Sequence, residues 1–382
     1  APYLPPNEPN TTINLGGYLL DGYIKNATGQ LIDLESGEII REFVTDDFGE
    51  WSIVITDNEL PTLYKIKFLP GGIDILTNTE VKTTFFNVGT KKATTELSST
   101  VINISPVTTL KSAMVENKIK KIIEETAEGG EINLEEVDTV IDETKTFVAN
   151  KFEISVEDLE TDYINESNTK VLKANAKLSV LTESLKDVVK EVENSVKEDD
   201  IFESIVTEFE KTKVAEETTN EDIKIKELIN TKVADIVKNV VSEDKVESIT
   251  EESNIVSNVK SISEVVIETI DTEIQPSEGE EEVDFVDEIQ DVAKNILSTI
   301  KYVEEIVNEK DLVETEIEET KESIKETLTE KKKIIEDIKV EFIFHPTPTP
   351  TPSPTFTPTP TYTPSPTPTL TPTYTPSFTP TE

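Results

Sequence analysis

Proline and glycine divide this chain into three parts, and that division limits the folds open to it. Of the 21 prolines, eight precede residue 345 and thirteen follow it, and residues 111–345 hold only Pro276 and three glycines. The other nine glycines lie in the first 110 residues. Because both residue types mark turns and are excluded from helix interiors, the pattern predicts a β-rich part, a long helical part and a proline-rich tail.

The β-rich part is made of short apolar runs that alternate with turn residues. Leu63–Phe68 alternates apolar and polar side chains, which is typical of a strand with one wet face. Trp51 opens an apolar strand after a turn, so we expect it to anchor a core. An extended arm over residues 1–12 and an antiparallel β-sandwich over residues 13–105 are predicted. The predicted strands are residues 18–24, 30–34, 39–45, 51–55, 63–68, 82–88 and 97–104.

The helical part, residues 106–342, carries most of the negative charge. Residues 111–345 hold 63 acidic and 29 basic side chains, a net charge of −34 out of −42 for the whole chain. Ser105 is a favoured cap and Pro106 suits the first helical turn, so a helix is predicted to begin there. Ile, Val and Leu at helical spacing predict the core of a helical bundle or coiled coil. The predicted helices are residues 107–126, 134–151, 168–198, 201–213, 220–243, 245–272 and 282–341.

The tail, residues 343–382, has a strict period of two and is predicted to be extended. Every odd position from 347 to 381 is Thr or Ser, and every even position from 346 to 380 is Pro or a large apolar residue. A stiff, solvated spacer is one interpretation. In the other, apolar anchors contact a partner subunit: Phe356, Tyr362, Leu370, Tyr374 and Phe378. The candidate O-glycosylation sites are Thr347, Thr349, Thr351, Thr357, Thr359 and Thr367.

Composition argues against several classes of site. The chain has no Cys and a single His, His345, so it predicts neither a disulfide framework nor a thiolate or histidine metal site. The charge repels nucleic acid and anionic membranes, and no apolar run reaches the roughly 18 residues that span a bilayer. Glutamates spread along helix faces resemble solvated surfaces rather than a catalytic pair. We therefore expect no catalytic residue and no cofactor. We expect no metal either, since Asp33, Glu35 and Glu38 offer too few oxygens for calcium.

Two stretches carry resemblances to known proteins. Residues 22–55, with Thr45, Asp46, Gly49 and Trp51 in the Thr-Asp-x-x-Gly-x-aromatic pattern, resemble the transthyretin-like, carboxypeptidase-regulatory type of β-sandwich. That resemblance implies a non-catalytic spacer or presentation domain on a secreted or surface protein.

The second stretch is ISPVTTLKSAMVENKI, residues 104–119. It resembles the helix start that follows such domains in large surface proteins of marine bacteria and their phages. In that group a helical segment comes next, and Asp158, Leu159 and Asp162, followed by residues 171–180, occupy matching places.

An intramolecular isopeptide bond between a lysine and an asparagine, as in some adhesin sandwiches, is a further hypothesis. It would replace the missing disulfides as a covalent tie. The partners suggested by the sequence are Lys25 with Asn87 or Asn103, and the alternative is a solvated Lys25.

Together these features predict a non-enzymatic, extracellular structural protein on a cell surface or virion. We expect a homo-oligomer or filament, with glycans on the tail and with neither nucleic-acid binding nor membrane insertion. One alternative is an adhesin or phage fibre that binds a host glycan or protein. Another is a non-catalytic fragment of a modular secreted hydrolase.

Overall fold

A computed structural model describes the first two parts of the chain. It covers residues 11–250 apart from 76–77, 96–99, 127–129, 167 and 220–223, together with scattered positions between 253 and 271. All of these residues belong to one compact unit, Ala1–Ile338. As predicted, the fold is mixed, with antiparallel sheets in the N-terminal part followed by helices. Residues 1–10 of the predicted arm, the helix over residues 282–341 and the tail lie outside the described residues, and Thr12, the last residue of that arm, already belongs to a strand.

Ten strands form three sheets in the described N-terminal part. A four-stranded sheet has the order β4-β3-β6-β9, a three-stranded sheet the order β10-β1-β5, and a small one the order β2-β7-β8. All neighbours are antiparallel except β1 and β10, which run parallel. The strands are β1 (Thr12–Tyr18), β2 (Ile24–Lys25), β3 (Thr28–Asp33), β4 (Ile39–Val44), β5 (Glu50–Thr56), β6 (Leu63–Phe68), β7 (Ile73–Asp74), β8 (Thr79–Glu80), β9 (Phe85–Thr90) and β10 (Thr100–Val101).

The larger two sheets share one apolar core. Alternate residues of β1 and β5, such as Leu15 and Ile53, meet alternate residues of β6, such as Ile66. Trp51 is buried at 1% exposure and stacks on Phe43 with ring centroids 5.2 Å apart, so it is the core anchor that its position predicts.

The Thr-Asp-x-x-Gly stretch is a turn whose side chains hold the backbone. Thr45 Oγ1 accepts from Ala27 N–H at 2.9 Å and donates to Ile24 O at 2.7 Å. Asp46 Oδ1 accepts from the amides of residues 48 and 50, which closes the turn before β5. Gly49 has φ +76°, a left-handed conformation that disfavours any side chain.

Two predicted strands are displaced in the structure. The first runs over Thr12–Tyr18 rather than residues 18–24, and the chain turns at Tyr23, whose φ is +56°. The apolar residues Leu19 and Leu20 follow the strand and are fully buried. Their apolar character is typical of a buried strand, and the sequence therefore predicted a strand there. The strand expected over 82–88 begins at Phe85 and ends at Thr90.

Seven α-helices follow or interleave with the strands in the described part. Residues from helices α2 to α6 contribute to one apolar cluster, so these helices form a bundle. The helices are α1 (Lys91–Thr95), α2 (Pro106–Glu125), α3 (Leu134–Phe152), α4 (Thr169–Val192), α5 (Glu198–Thr219), α6 (Ile225–Val240) and α7 (Glu243–Val246), with a 3-10 turn at Asp158–Glu160 between α3 and α4.

Helix α2 begins where the sequence predicts. The Ser105 side chain accepts from Thr108 N–H at 3.3 Å, and Thr108 Oγ1 accepts from Ser105 N–H at 2.7 Å. This reciprocal capping satisfies amides that a helix start otherwise leaves unpaired.

One face of the four-stranded sheet packs against α2, which corrects the expectation of a wet face on β6. Leu63 of β6 joins Val115 and Ile119 of α2 in an apolar cluster. Lys65 Nζ lies 2.7 Å from Glu116 Oε2 and 4.2 Å from the centre of a neighbouring phenyl ring. The lysine stem can cover apolar surface while its charge is paired, so the alternation marked a second packed face rather than solvent.

The same helix also covers the outer edge of that sheet. β9 is an edge strand, and its outward amides bond to hydroxyls of α2 instead of to another strand. Phe86 N–H donates to Thr109 Oγ1 at 3.1 Å, and Val88 N–H donates to Ser112 Oγ at 3.2 Å. An open edge invites pairing with other chains, and α2 therefore removes this one from solvent.

We expect Thr109→Val to lower the free energy of unfolding by roughly 1–3 kcal/mol, because it leaves the partly buried Phe86 N–H without its acceptor at nearly unchanged volume. Urea denaturation followed by circular dichroism measures the change. Thr139→Val is the matched control, since Thr139 is an exposed residue of α3 whose hydroxyl bonds only within its own helix in the described contacts. Equal losses in the two variants would show that the edge contact contributes nothing.

The Lys65–Glu116 contact predicts that the stability of the fold depends on pH. Burial alone would raise the pKa of Glu116, but Lys65 and Lys120 outweigh it and hold that pKa below 4.5. The carboxylate therefore contributes stability that is present above pH 4.5 and is lost as the pH falls through the lower, folded-state pKa. Glu116→Gln should flatten the acid limb of the unfolding midpoint plotted against pH. Glu124→Gln, on the exposed face of α2, should follow the unaltered protein.

Candidate functional site

A cavity of about 510 Å³ lies where β9, α1, β10 and α3 meet. Acidic and basic side chains both face it, so its wall has no single sign of charge. Its lining residues are Tyr64, Asn87, Val88, Gly89, Thr90, Lys92, Ala93, Thr94, Thr100, Val101, Ile102, Asp138, Ile141, Asp142, Lys145 and Glu160. Asn87 and Glu160 belong to a buried polar cluster behind this wall.

Lys111 is the centre of that cluster. It lies in the second turn of α2 and its side chain is 1% exposed. Its Nζ is 2.7 Å from Asn87 Oδ1 and 2.7 Å from Glu160 Oε1. Burial lowers the pKa of Lys111, while the neighbouring Glu160 carboxylate opposes that shift.

Glu160 is held by two lysines. Its Oε2 lies 3.2 Å from Lys145 Nζ of α3, and its Oε1 contacts Lys111. Burial alone would raise the pKa of Glu160, but the two ammonium groups outweigh it and lower that pKa from 4.5 to about 2. The carboxylate is therefore ionised at neutral pH, and one side of it borders the cavity.

Two asparagines, Asn87 and Asn103, complete the cluster. We call it the Lys111 cluster, and its members are Asn87, Asn103, Lys111, Ser112, Lys145 and Glu160. Asn87 Oδ1 also accepts from Ser112 Oγ at 3.0 Å. Asn103 Oδ1 accepts from Tyr18 N–H at 3.0 Å, and its Nδ2 donates to Glu160 O at 3.2 Å. The cluster therefore connects β1 and β9 with α2, α3 and the 3-10 turn.

Other buried lysines pair with glutamates of a different helix. Lys151 of α3 contacts Glu216 of α5, and its ammonium lies 4.9 Å from the centre of the Phe147 ring. Lys186 of α4 is 2.8 Å from Glu198 of α5. Buried charges require such partners, because an unpaired ion in a protein interior is strongly destabilising. These pairs are ties between helices of the bundle.

The cluster offers a nucleophile, a carboxylate and polarised amides, but no arrangement typical of a metal site. Among the residues that the structure describes, no three His, Cys, Asp or Glu side chains are placed to hold a metal ion. Asp33, considered for calcium, instead accepts at Oδ1 from Glu35 N–H at 2.8 Å and stabilises the hairpin turn. In the described part of the chain, no helix is both long enough and apolar enough to cross a bilayer.

The site residues predicted from the sequence lie elsewhere. All five tail anchors and all six threonine positions fall outside the described residues, so they stay predictions. The isopeptide hypothesis named Lys25 with Asn87 or Asn103. The structure instead places Lys111 on Asn87, and the Asn103 side chain on Tyr18 N–H and Glu160 O. Lys25 lies on β2, opposite Ile73 of β7. Sequence reasoning missed Lys111 and Glu160 because a lysine and a glutamate in helical segments are usually solvated.

Comparisons with known proteins give no relative for this chain: no protein-family model, no curated protein and no solved structure matches it.

Asn103→Ala should lower the free energy of unfolding by roughly 2–4 kcal/mol, because the partly buried Tyr18 N–H and Glu160 C=O both lose this partner. Chemical denaturation measures this change. Asn117→Ala removes an exposed carboxamide of α2 that bonds Glu210, and it should change the free energy by no more than about 0.5 kcal/mol. If Asn103→Ala also lowered the free energy of unfolding by no more than about 0.5 kcal/mol, Asn103 would not connect β1 to the 3-10 turn as described.

Proposed function

We propose that this chain is a non-enzymatic, extracellular structural protein, a subunit of a surface filament or appendage on a cell or virion. The observation that carries the proposal is the Lys111 cluster. Its polar groups bind one another across two strands, two helices and the 3-10 turn, and these contacts also hold Asn87, Lys145 and Glu160, which border the adjoining cavity. Such an arrangement favours a rigid building block over a catalytic centre.

The finer assignment of the fold belongs to the same proposal. We infer that the sheets are a transthyretin-like β-sandwich and that the helical part continues as a bundle or coiled coil into residues 282–341. The shared core of the two larger sheets and the turn built by Thr45, Asp46 and Gly49 support the first inference. The apolar spacing in the sequence supports the second.

Ties between the sheets and the helices also favour a mechanical role. The hydroxyl of Tyr23 donates to Asp162 at 2.9 Å, and the Thr84 hydroxyl donates to Asp199 at 2.7 Å. With the Lys65–Glu116 pair, these contacts join the N-terminal strands to several helices. A unit joined at many points transmits force without separating its parts, which a filament subunit requires.

The tail supplies the proposed assembly contacts. Its stretch from 346 to 381 carries no charged residue, whereas the preceding part is strongly acidic, so like-charge repulsion is smallest there. In an extended chain a period of two places the large apolar residues on one side and the hydroxyls on the other. One side then contacts a neighbouring subunit, and the other is available for O-glycosylation.

Electron microscopy of the native material tests the proposal directly. Regular filaments with a uniform repeat support it, whereas dispersed monomers with a protease-sensitive tail would overturn it. Binding of the isolated protein to host glycans, without filaments, would favour the adhesin alternative instead.

A tail variant gives a quantitative prediction. Replacing the five anchors by the proline that the register otherwise carries (Phe356→Pro, Tyr362→Pro, Leu370→Pro, Tyr374→Pro and Phe378→Pro) should weaken self-association far more than tenfold. Each large apolar side chain contributes about 1.5–3 kcal/mol on full burial, and about 1.4 kcal/mol is a factor of ten. Sedimentation velocity measures the assembled fraction.

The matched control changes the other side of the tail. Thr347→Ser, Thr349→Ser, Thr351→Ser, Thr357→Ser and Thr359→Ser alter five positions but keep every anchor and every hydroxyl. This variant should assemble like the unaltered chain. Assembly that survives loss of the anchors would show that the tail does not carry the contact.

A further inference from the structure

We propose that Lys111 and Asn87 form an intramolecular isopeptide bond, with Glu160 as the acid–base group. The geometry that points to this bond is the contact of a fully buried amine with a buried carboxamide beside a carboxylate. The inference does not depend on the proposed filament role, because it concerns a self-modification within one folded chain.

The two reacting groups are within reach of each other. Lys111 Nζ lies 2.7 Å from Asn87 Oδ1, and the carboxamide carbon is one C=O bond, about 1.2 Å, beyond that oxygen. The nitrogen is therefore within about 4 Å of the carbon that it would attack, close to the separation of a near-attack conformer. Both side chains are largely shielded from solvent, since Asn87 is 5% exposed and Lys111 is 1% exposed.

A neighbouring carboxylate can move the protons. Glu160 Oε1 lies 2.7 Å from the same nitrogen, so its carboxylate is in direct contact with the proton to be moved. The two lysine contacts lower the pKa of Glu160 and make it a weak base, so its role in the proposal rests on this contact. Burial disfavours the ammonium form of Lys111, which helps the transfer. A carboxylate within hydrogen-bond reach of the proton that it removes meets the geometric requirement for a general base.

The carbonyl is also polarised. Ser112 Oγ donates to Asn87 Oδ1 at 3.0 Å, so a hydroxyl is already aimed at the oxygen on which negative charge develops. The departing Nδ2 faces Asn103 O at 3.5 Å. Both Asn87 and Glu160 border the cavity of about 510 Å³, which gives the leaving group a space to enter.

The step balances without any oxidant or cofactor. The Lys111 ammonium gives up two protons through Glu160, and a bond forms between its nitrogen and the Asn87 Cγ. The bond between Cγ and Nδ2 breaks, and the amide nitrogen leaves with the two protons as ammonium. No atom changes its oxidation state, and Glu160 ends in the form in which it began.

Peptide mapping of the recombinant chain, produced without glycosylation, tests the bond. The intact mass should be lower than the sequence mass by one ammonia. Trypsin should release residues 83–91 joined to residues 93–118, because the modified Lys111 is no longer a cleavage site. Free peptides 83–91 and 93–111 from the folded protein, at the full yield expected from the sequence, would overturn the proposal. So would an ammonia loss that maps to a succinimide at an asparagine.

Three variants assign the roles. Glu160→Gln keeps the shape of the base but removes its proton transfer, and it should lower the cross-linked fraction at least tenfold. Lys111→Met removes the nucleophile and should yield only linear peptides. Lys190→Met removes an exposed lysine of α4 and should leave the 83–91 to 93–118 product at its full yield. Full cross-linking in folded Glu160→Gln would overturn the assignment of Glu160.

Discussion

The packing of α2 against β9 brings together the main contacts between the sheets and the helices in the described residues. One helix supplies hydroxyls to the outward amides of an edge strand, an apolar strip to the face of its sheet, and a lysine to the cluster between them. Each of these contacts depends on the rotation of α2 about its axis. The helix begins at Ser105, where its cap is formed.

Local signals in the sequence predicted the parts of the fold that depend on local chemistry. The start of α2 at Ser105–Pro106 and the turn at Thr45–Gly49 both match, because a cap and a left-handed glycine act over a few residues. The division of residues 168–213 into helices was predicted less well. The structure ends α4 at Val192 and begins α5 at Glu198, although no proline or glycine lies between them. That interruption is stabilised by contacts from far along the chain, such as Lys245 on Glu193.

The Lys111 cluster could be predicted only in part, and the reason is physical. Asn87 was named from the sequence, with Asn103 as the alternative, as a candidate isopeptide partner of Lys25. The matching lysine could not be chosen, because the choice depends on which helix covers which sheet edge. Glu160 belongs to a segment 49 residues further along the chain, and nothing local marks it as a partner of Lys111. Pairings of this kind arise from tertiary packing rather than from local propensity.

The parallel pairing of β1 with β10 has a consequence for the order of events during synthesis. β1 is synthesised before β10. In the folded protein Gly16 O accepts from Ile102 N–H at 2.7 Å, and Tyr18 N–H donates to the side chain of Asn103. The ribosome must therefore deliver about ninety further residues before the first strand is hydrogen-bonded on both sides. Contacts so distant in sequence slow folding, because the loop between them must close first. β1 is therefore completed only after β10 has been synthesised, later than the hairpin of β3 and β4.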